Sequence, residues 1–491
     1  MANKLSVDRN IEFKGFSKSD LSERFARIFR ICNNFDIPIL IIVDGWENSY
    51  RGKLIKEMTE EVAAKYLDVD VFDSEKSDDK YPFIRKFWIN VPQKGHIKIF
   101  DRSFYYKLFD DLKLSDKEIS HRVESIKSIE EMLYKDKTII IKLFLNIDKD
   151  IQKDRVKERE NSKSRSFYLD DLDKKQVENY SDYLDHFQKV LEKSSFSFSP
   201  WEIVDMNDEK DGIKEALWIC LERLTIGIER VANQKKDDDR TQRSYKLKKP
   251  IISSLDLSKT IDKKDYKKEK DKLQKEVSDM MYEYYDRGIS TVLVFEGVDA
   301  AGKDGSIERL IKKVDPRLYK VHGISAPSQE ELSRHYLWRF YEKLPEDGHV
   351  GIFSRSWYGR VMVERVEGFA TTNEWDRAYQ EILDMEKQIY DHGSLIIKFF
   401  VIIDKKEQLK RFMDREKDPD KNYKITDEDW RNRNKWDEYI ASMDEMLERT
   451  NVSYAPWIIV EGNQKRYARI KVMKEYLRLA KDHLKKIDKN K

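Results

Sequence analysis

The sequence is poor in cysteine and has no long apolar run. These two shortages argue against a disulfide-rich or cysteine-ligated zinc protein and against a membrane-spanning protein. Two cysteines, Cys32 and Cys220, occur among 491 residues, too few for a disulfide framework or a cysteine-rich zinc site. Apolar runs such as residues 37–43 are far shorter than the roughly 20 residues that cross a bilayer. The N-terminus lacks the apolar core of a signal peptide. We therefore expect a cytoplasmic protein without a membrane segment.

An excess of charge of one sign is also missing. Lys and Arg number 95 against 93 Asp and Glu, a net charge of +2, so electrostatic attraction of the whole chain to nucleic acid is not expected. A locally basic groove remains compatible with this balance. The hydrophobic share of 39%, with 10 Trp, 25 Tyr and 23 Phe, is enough for globular cores, and the length predicts two or three domains.

The chain repeats itself. Four segments of the first half recur in the second half in the same order, at spacings that change only from 252 to 256 residues. Such collinearity predicts two homologous α/β domains in tandem. The matching pairs are 41–47 with 293–299, 99–105 with 352–358, 140–144 with 396–400, and 199–201 with 455–457.

The join between the halves is marked by composition. Residues 234–265 are dense in Lys and Asp, which predicts a solvated linker, and a charged helix is expected at 266–285. We therefore divide the chain into a first domain at 1–233, this linker, and a second domain at 266–491. Homologous halves can pack as a pseudo-dimer, and a homo-oligomer is also compatible with the sequence.

Short apolar runs alternate with helical patterns in each half. This alternation predicts a parallel sheet covered by helices. In the second half the expected strands are 292–295, 350–353, 396–403 and 457–460.

A phosphate-binding loop follows the first of these strands. Gly297 and Gly302-Lys303 fit the spacing of a P-loop between a strand and a helix. Its glycines permit a tight turn with inward N–H groups, and Lys303 adds a full positive charge. The position after the lysine is usually Ser or Thr, which helps to hold Mg²⁺, but here it is Asp304. Asp299 could take the metal instead, or simply stabilise the loop.

Two further basic regions are candidates for phosphate binding. Arg355 and Arg360 follow the strand 350–353, where guanidinium groups could clamp phosphate or form surface ion pairs. The segment 411–435 could form a mobile helical lid over the phosphates, or a solvated loop. Its basic residues include Arg411, Arg415, Lys417, Lys424, Arg431 and Arg433.

Together these motifs resemble the family-2 polyphosphate kinases, most closely the double-domain polyphosphate:AMP phosphotransferases. The resemblance covers the chain from Leu255 onwards. It is carried by residues 255–260, 296–305, 335–340, 355–361, 363–369, 415–419, 429–433 and 455–457.

The resemblance implies two P-loop kinase-like domains and transfer of a terminal phosphoryl group between inorganic polyphosphate and a nucleotide, with Mg²⁺. For the double-domain type, the implied acceptor is AMP and the product ADP. The implied catalytic residues are Asp299, Lys303 and Arg355, with Asp299 as metal ligand. Phosphate or nucleotide contacts are expected from Gly297, Ala300, Ala301, Gly302, Asp304, Gly305, Arg339, Arg360 and Arg365.

Two positions depart from the family pattern in the second half. Ser354 stands where the strand-end motif usually has Asp, which places more of the metal role on Asp299. The lid carries 422–424 as Asn-Tyr-Lys where an Arg-Trp-Lys run is common, so an aromatic residue is kept.

The first half departs much further. Tyr50 replaces the second loop glycine, where a side chain would obstruct phosphate, and Arg51 replaces the lysine. Asp101 and Arg102 are nevertheless kept in the strand-end motif. We expect a catalytically silent domain.

Other functions stay open at this point. An ATP-dependent nucleoside monophosphate kinase could use the same scaffold, and a non-catalytic sensor of polyphosphate or nucleotide could bind without turnover. A P-loop protein acting on nucleic acid is disfavoured by the balanced charge.

Overall fold

The chain folds into two compact units in a computed structural model that describes residues 11–72, 80–161, 169, 171–238, 245–420 and 422–490. The first unit is built from residues up to Asp237, and it also takes in Gln329–Trp338 from the second half. The second unit is built from Asp238 onwards, and it takes in a short stretch that ends at Arg85. No described helix is long and apolar enough to cross a membrane.

The first unit contains a five-stranded parallel sheet with the strand order β2-β3-β1-β4-β5. Its strands are β1 (Ile39–Gly45), β2 (Leu67–Val71), β3 (Ile97–Asp101), β4 (Ile139–Asn146) and β5 (Trp201–Asp205). The helices of this half are α1 (Lys18–Asn34), α2 (Arg51–Thr59), α3 (Arg85–Trp88), α4 (Tyr106–Asp110), α5 (Asp116–Lys135), α6 (Lys149–Glu160), α7 (Asp171–Glu178), α8 (Tyr180–Ser194) and α9 (Glu209–Asp238).

The second unit repeats the topology, with a parallel sheet in the order β7-β8-β6-β9-β10. Its strands are β6 (Thr291–Gly297), β7 (Tyr319–Gly323), β8 (Val350–Ser354), β9 (Leu395–Ile402) and β10 (Trp457–Glu461). The helices of this half are α10 (Lys263–Asp286), α11 (Lys303–Leu310), α12 (Gln329–Leu332), α13 (Trp338–Tyr341), α14 (Val363–Val366), α15 (Thr372–Asp391), α16 (Lys405–Lys417), α17 (Asp427–Asn434), α18 (Trp436–Thr450) and α19 (Lys465–Asn490).

The two matching sheets confirm the predicted tandem α/β architecture. The central strands β6 and β9 are buried along almost their whole length, which is why most of their residues are apolar. Strand β7 was not among the strands predicted from the sequence, because this edge strand is largely exposed and carries no apolar run. The expected linker at 234–265 begins inside α9, which runs to Asp238.

A buried ion pair ties a central strand to a helix in each unit. In the second unit, Lys398 of β9 donates to Glu386 of α15 at 2.7 Å, and both side chains are fully buried. The Lys398 ammonium also donates to the Tyr358 hydroxyl and the Thr450 carbonyl, each at 2.8 Å. Glu386 accepts from the Trp357 indole as well, so the network fixes the residues that follow β8.

We expect Lys398→Met to destabilise the second unit by about 3–5 kcal/mol, because it leaves the Glu386 carboxylate buried without its cation. Urea unfolding of the purified variant measures this loss. The double variant Lys398→Met/Glu386→Leu should recover most of it, since no uncompensated charge then remains. A single variant within 1 kcal/mol of the wild type would show that the pair is not needed for stability.

Candidate active site

The loop between β6 and α11 has the backbone geometry that its glycines predict. Gly297 has φ +134°, and a Cβ there would lie 1.9 Å from the Val401 carbonyl oxygen. Gly302, directly before α11, has φ +103°, and Ala300 between them has φ +58°. This conformation disfavours larger side chains, which explains the two glycines.

Lys303 begins α11, and its charge is not neutralised by a direct ion pair. Its ammonium donates to the carbonyl oxygens of Gly297 at 2.8 Å and Val298 at 3.2 Å. No carboxylate of the described residues forms an ion pair with it. Burial lowers the pKa of the Lys303 ammonium, while the carboxylates of Asp299 and Glu296 act in the opposite direction. The geometry leaves this cation available to an anionic ligand.

Arg355 and Asp299 face each other beside the loop. Arg355 follows β8 with φ +65°, an uncommon backbone conformation for a residue with a side chain. Its guanidinium contacts Asp299 Oδ1 at 3.3 Å and, more distantly, Glu428 at 3.7 Å. Asp299 Oδ2 accepts from the Asn432 amide at 2.9 Å. The Asp299 carboxylate is thus held between a cation and an amide.

Two cavities adjoin these residues. A wide cleft of about 1360 Å³ runs along the loop, and a narrow pocket of about 60 Å³ lies beside Val298. Asp299 and Arg355 line both, so they stand where the two cavities meet. The cleft also contains Ala300, Ala301, Gly302, Lys303, Asp304 and Gly305 of the loop.

The cleft has mixed charge. It is lined by seven carboxylates as well as six cationic side chains, so net positive charge alone does not define it. The cations are Lys303, Arg355, Arg411, Arg415, Lys465 and Arg469.

The structure places Arg411 underneath the loop, on α16, and not in a lid. Its guanidinium donates to the carbonyls of Ala300 at 2.9 Å and Ala301 at 3.0 Å, and to those of Gly462 and Asn463. It is 5% exposed and also pairs with Glu407. Because these contacts already use the N–H groups of its guanidinium, Arg411 stabilises the loop conformation and has no donor left for phosphate. Arg155 makes similar carbonyl contacts in the first unit.

Most of the other predicted arginines do not line either cavity and are bonded to other groups of the protein. Arg360 pairs with Glu364 at 2.9 Å, and Arg365 pairs with Glu445 at 2.7 Å. Arg339 donates to the Ser325 carbonyl, Arg431 pairs with Glu367, and Arg433 donates to Lys405 and Gln408; Lys417 is exposed. The side chain of Lys424 lies outside the described residues. Of the other expected lid cations, Arg415 lines the cleft, as does the aromatic residue Tyr423.

The carboxylate oxygens in the cleft could bind a metal ion that is also coordinated by phosphate. Ser354 donates to Asp304 Oδ1 at 2.7 Å, which holds a second carboxylate near Asp299 in the cleft. The described residues contain no cluster of three or more His, Cys, Asp or Glu that could hold a metal by itself. One or two carboxylates completed by phosphate oxygens and water are a common arrangement for Mg²⁺. The residues present therefore fit such an ion.

The corresponding loop of the first unit is closed by its own side chains. Arg51 occupies the position of Lys303 and makes the same contacts to loop carbonyls, at 3.3 Å to Gly45 and 3.2 Å to Trp46. It also pairs with the carboxylates of Glu47 and Asp101, each at 3.0 Å. An anion would have to compete with both carboxylates for this cation.

Tyr50 keeps the left-handed turn of this loop. Its φ of +66° resembles that of Gly302, so the tyrosine does not change the course of the backbone. The Arg155 guanidinium lies over its ring at 4.1 Å. That the ring obstructs phosphate stays a prediction.

Asp44, on β1 of this unit, should make stability depend on pH. Burial raises the pKa of its carboxyl to about 6, although the Ser103 hydroxyl donates to it at 2.6 Å. A carboxyl whose pKa is higher in the folded than in the unfolded protein stabilises the fold in its protonated form. This contribution to the free energy of unfolding is fully present below the unfolded pKa near 4, and it is lost as the pH rises through the folded pKa of about 6. In the wild type the free energy of unfolding should therefore fall by about 2–3 kcal/mol between pH 4 and pH 6, and we expect this fall to be absent in Asp44→Asn. Urea unfolding at pH 4, 5, 6 and 7 tests this, and an unchanged slope would contradict it.

Sequence reasoning missed several residues of the site. Asn432, Trp436 and Tyr439 line the pocket, and Lys465 and Arg469 line the cleft. Their positions could have been anticipated, because α19 directly follows the end of β10 and carries Lys465 and Arg469 one turn apart.

Comparison with known proteins agrees with this architecture. The family model described as Polyphosphate kinase 2 (PPK2) matches residues 14–232 and again residues 260–488. A polyphosphate:AMP phosphotransferase of Pseudomonas aeruginosa is 34% identical over 96% of this chain and 97% of its own length. One of Acinetobacter johnsonii is 37% identical over 90% and 91%.

Solved structures give the same result. A crystal structure from Pseudomonas aeruginosa assigned to polyphosphate kinase 2 superposes with a TM-score of 0.84 and 31% identity. The match covers 99% of this chain and 100% of that one. The chain belongs to the polyphosphate kinase 2 family and carries the family domain twice.

Proposed function

We propose that the second unit transfers the terminal phosphoryl group of inorganic polyphosphate to AMP, giving ADP. The observation that carries this proposal is the meeting of a wide cleft and a narrow pocket at Asp299 and Arg355. A reaction between a long donor and a compact acceptor needs two such spaces that share the reacting centre. The activity in the names of the two bacterial relatives supports the same reaction.

The donor chain lies in the cleft, with its terminal phosphate over the loop. Loop N–H groups and the start of α11 supply partial positive charge, and Lys303 and Arg355 supply full charges. Arg415, Lys465 and Arg469 can bind phosphates further along the chain. An oxygen of the AMP phosphate forms the bond to the terminal phosphorus, while the bond to the bridging oxygen breaks. The shortened polyphosphate leaves with that oxygen.

Asp299 orients the acceptor, and no side chain has to act as a nucleophile. Positioning and electrostatic stabilisation account for most catalysis of phosphoryl transfer. Mg²⁺, held by Asp299 and Asp304, would offset the negative charge of the two phosphates. The seven carboxylates of the cleft are compatible with a polyphosphate that carries such ions. The first unit is silent in this proposal, because Arg51 is paired with Glu47 and Asp101.

A matrix of donors and acceptors tests the function. Purified protein is given polyphosphate or ATP with AMP, ADP, GMP or GDP in the presence of Mg²⁺, and nucleotide products are separated by chromatography. ADP formed from AMP and polyphosphate supports the proposal. Turnover with ATP alone would instead identify an ATP-dependent monophosphate kinase, and tight binding without turnover would identify a sensor.

A further inference from the structure

The pocket beside Asp299 is open in the second unit and filled in the first. Equivalent positions follow from the repeat spacing of 252 to 256 residues. Four small or flexible residues that line the pocket in the second unit are replaced by aromatic residues in the first, and a fifth position is aromatic in both. The four pairs are Val298 with Trp46, Gly359 with Tyr106, Met362 with Phe109, and Met443 with Phe187, and the aromatic pair is Trp436 with Tyr180.

In the first unit, Trp46 fills this space with a flat bicyclic ring. Its indole stacks on Tyr180 with centroids 4.2 Å apart and an interplanar angle of 5°. Phe187 contacts it edge-on at 4.7 Å. Trp46 is fully buried, and its indole N–H donates to Asn146. The space therefore suits an aromatic bicycle that stacks on the residue at position 180.

In the second unit, the stacking residue is present without its partner. Trp436 begins α18 at the position of Tyr180, is only partly buried, and makes no ring contact with another described residue. Val298 is too short to reach across the pocket as Trp46 does. A Cβ on Gly359 would meet no atom within 4 Å, so this wall of the pocket is open.

We propose that the purine base of the acceptor nucleotide stacks on Trp436, in the space that the Trp46 indole fills in the first unit. This inference rests on the proposed function. A purine is a flat bicycle like indole, and stacking on an aromatic side chain is a common way to hold a base. Val298 adjoins Asp299, so a base at this position directs the nucleotide phosphate towards Asp299 and Arg355. The flexible side chains of Met362 and Met443 can adjust around the ring.

The polar side chains of the pocket are already bonded within the protein. Asn432 donates to Asp299 and accepts from Tyr439 at 3.0 Å. Gln408 donates to the Asp299 carbonyl and accepts from Arg433 at 2.9 Å. The pocket therefore holds the base mainly through its face, and Trp436 contributes to nucleotide affinity more than to the chemical step.

Kinetics of Trp436→Ala and Trp436→Phe test this assignment. We expect Trp436→Ala to raise the KM for AMP about tenfold or more, with the KM for polyphosphate unchanged, and Trp436→Phe to keep most of the affinity. Ribose 5-phosphate, which lacks the base, serves as a competitive inhibitor whose inhibition constant should not change in Trp436→Ala. Tyr180→Phe is the matched control in the first unit and should leave all constants within twofold of the wild type.

The outcomes separate this inference from the proposed function. If wild-type protein forms no ADP from AMP and polyphosphate, the proposed function fails, and titration of AMP by calorimetry then tests Trp436 by itself. An unchanged KM or dissociation constant for AMP in folded Trp436→Ala would overturn the stacking assignment. A parallel loss of affinity for ribose 5-phosphate would also overturn it, because the effect would then not depend on the base.

Discussion

Lys303→Ala should lower kcat for polyphosphate-dependent AMP phosphorylation about 10²- to 10⁴-fold, without loss of the fold. Within the part of the chain that the structure describes, the Lys303 ammonium donates only to loop carbonyls beside the cleft, so it can stabilise the charge that spreads over the transferred phosphoryl group. Removing a charged donor of this kind typically costs several orders of magnitude, because no solvent molecule replaces it in the same geometry. Initial rates of ADP formation at saturating substrates measure the effect.

Lys53→Ala is the control for this prediction. Lys53 lies near the equivalent loop of the first unit, where its half-exposed ammonium pairs with Glu209. We expect activity within twofold of the wild type. Thermal unfolding of both variants shows whether the fold is kept. Near-normal turnover by folded Lys303→Ala would refute the assignment of the site.

Asp299→Asn is the second change with a large expected effect. It keeps the shape of the side chain but removes the negative charge at the point where cleft and pocket meet. We expect kcat to fall about 100-fold or more and the Mg²⁺ concentration for half-maximal rate to rise, because a carboxylate ligand is lost. Rates measured over a Mg²⁺ series separate these two effects.

Glu47→Gln is the matched change in the first unit, where Glu47 is paired with Arg51. Activity close to that of the wild type is expected from this control. An Asp299→Asn variant with unchanged rate and unchanged Mg²⁺ dependence would show that Asp299 supports the loop without taking part in metal binding or transfer.

The repeat and the buried strands could be read from the sequence because their signals are local. Strands such as β9 are apolar at every position except Lys398, and the matching segments lie at nearly equal spacing. The edge strand β7 gave no such signal, since most of its residues are exposed and it carries no apolar run. The segment Gln329–Trp338 could not be assigned to the first unit from composition, because unit membership depends on contacts distant in sequence.

The candidate site could be predicted in part. Asp299, Lys303 and Arg355 follow strand ends, and the structure brings them together. Arg411 was expected in a lid because it begins a basic segment that the sequence predicts as a loop between helices, yet its guanidinium donates to carbonyls of the phosphate-binding loop. The residues on α18 and α19 were missed, because a long polar helix does not show which side chains reach a distant loop. Whether residues 411–435 move as a lid stays a prediction.

Calorimetric titration of tripolyphosphate into the full chain, with Mg²⁺ and without nucleotide, shows how many polyanion sites the protein has. We expect one site per chain, because the loop before Lys303 is open to an anion while Arg51 is held by Glu47 and Asp101. Binding should be lost in Lys303→Ala. Two sites per chain, or one site that persists in folded Lys303→Ala, would rule out Lys303 as the cation that distinguishes the two loops.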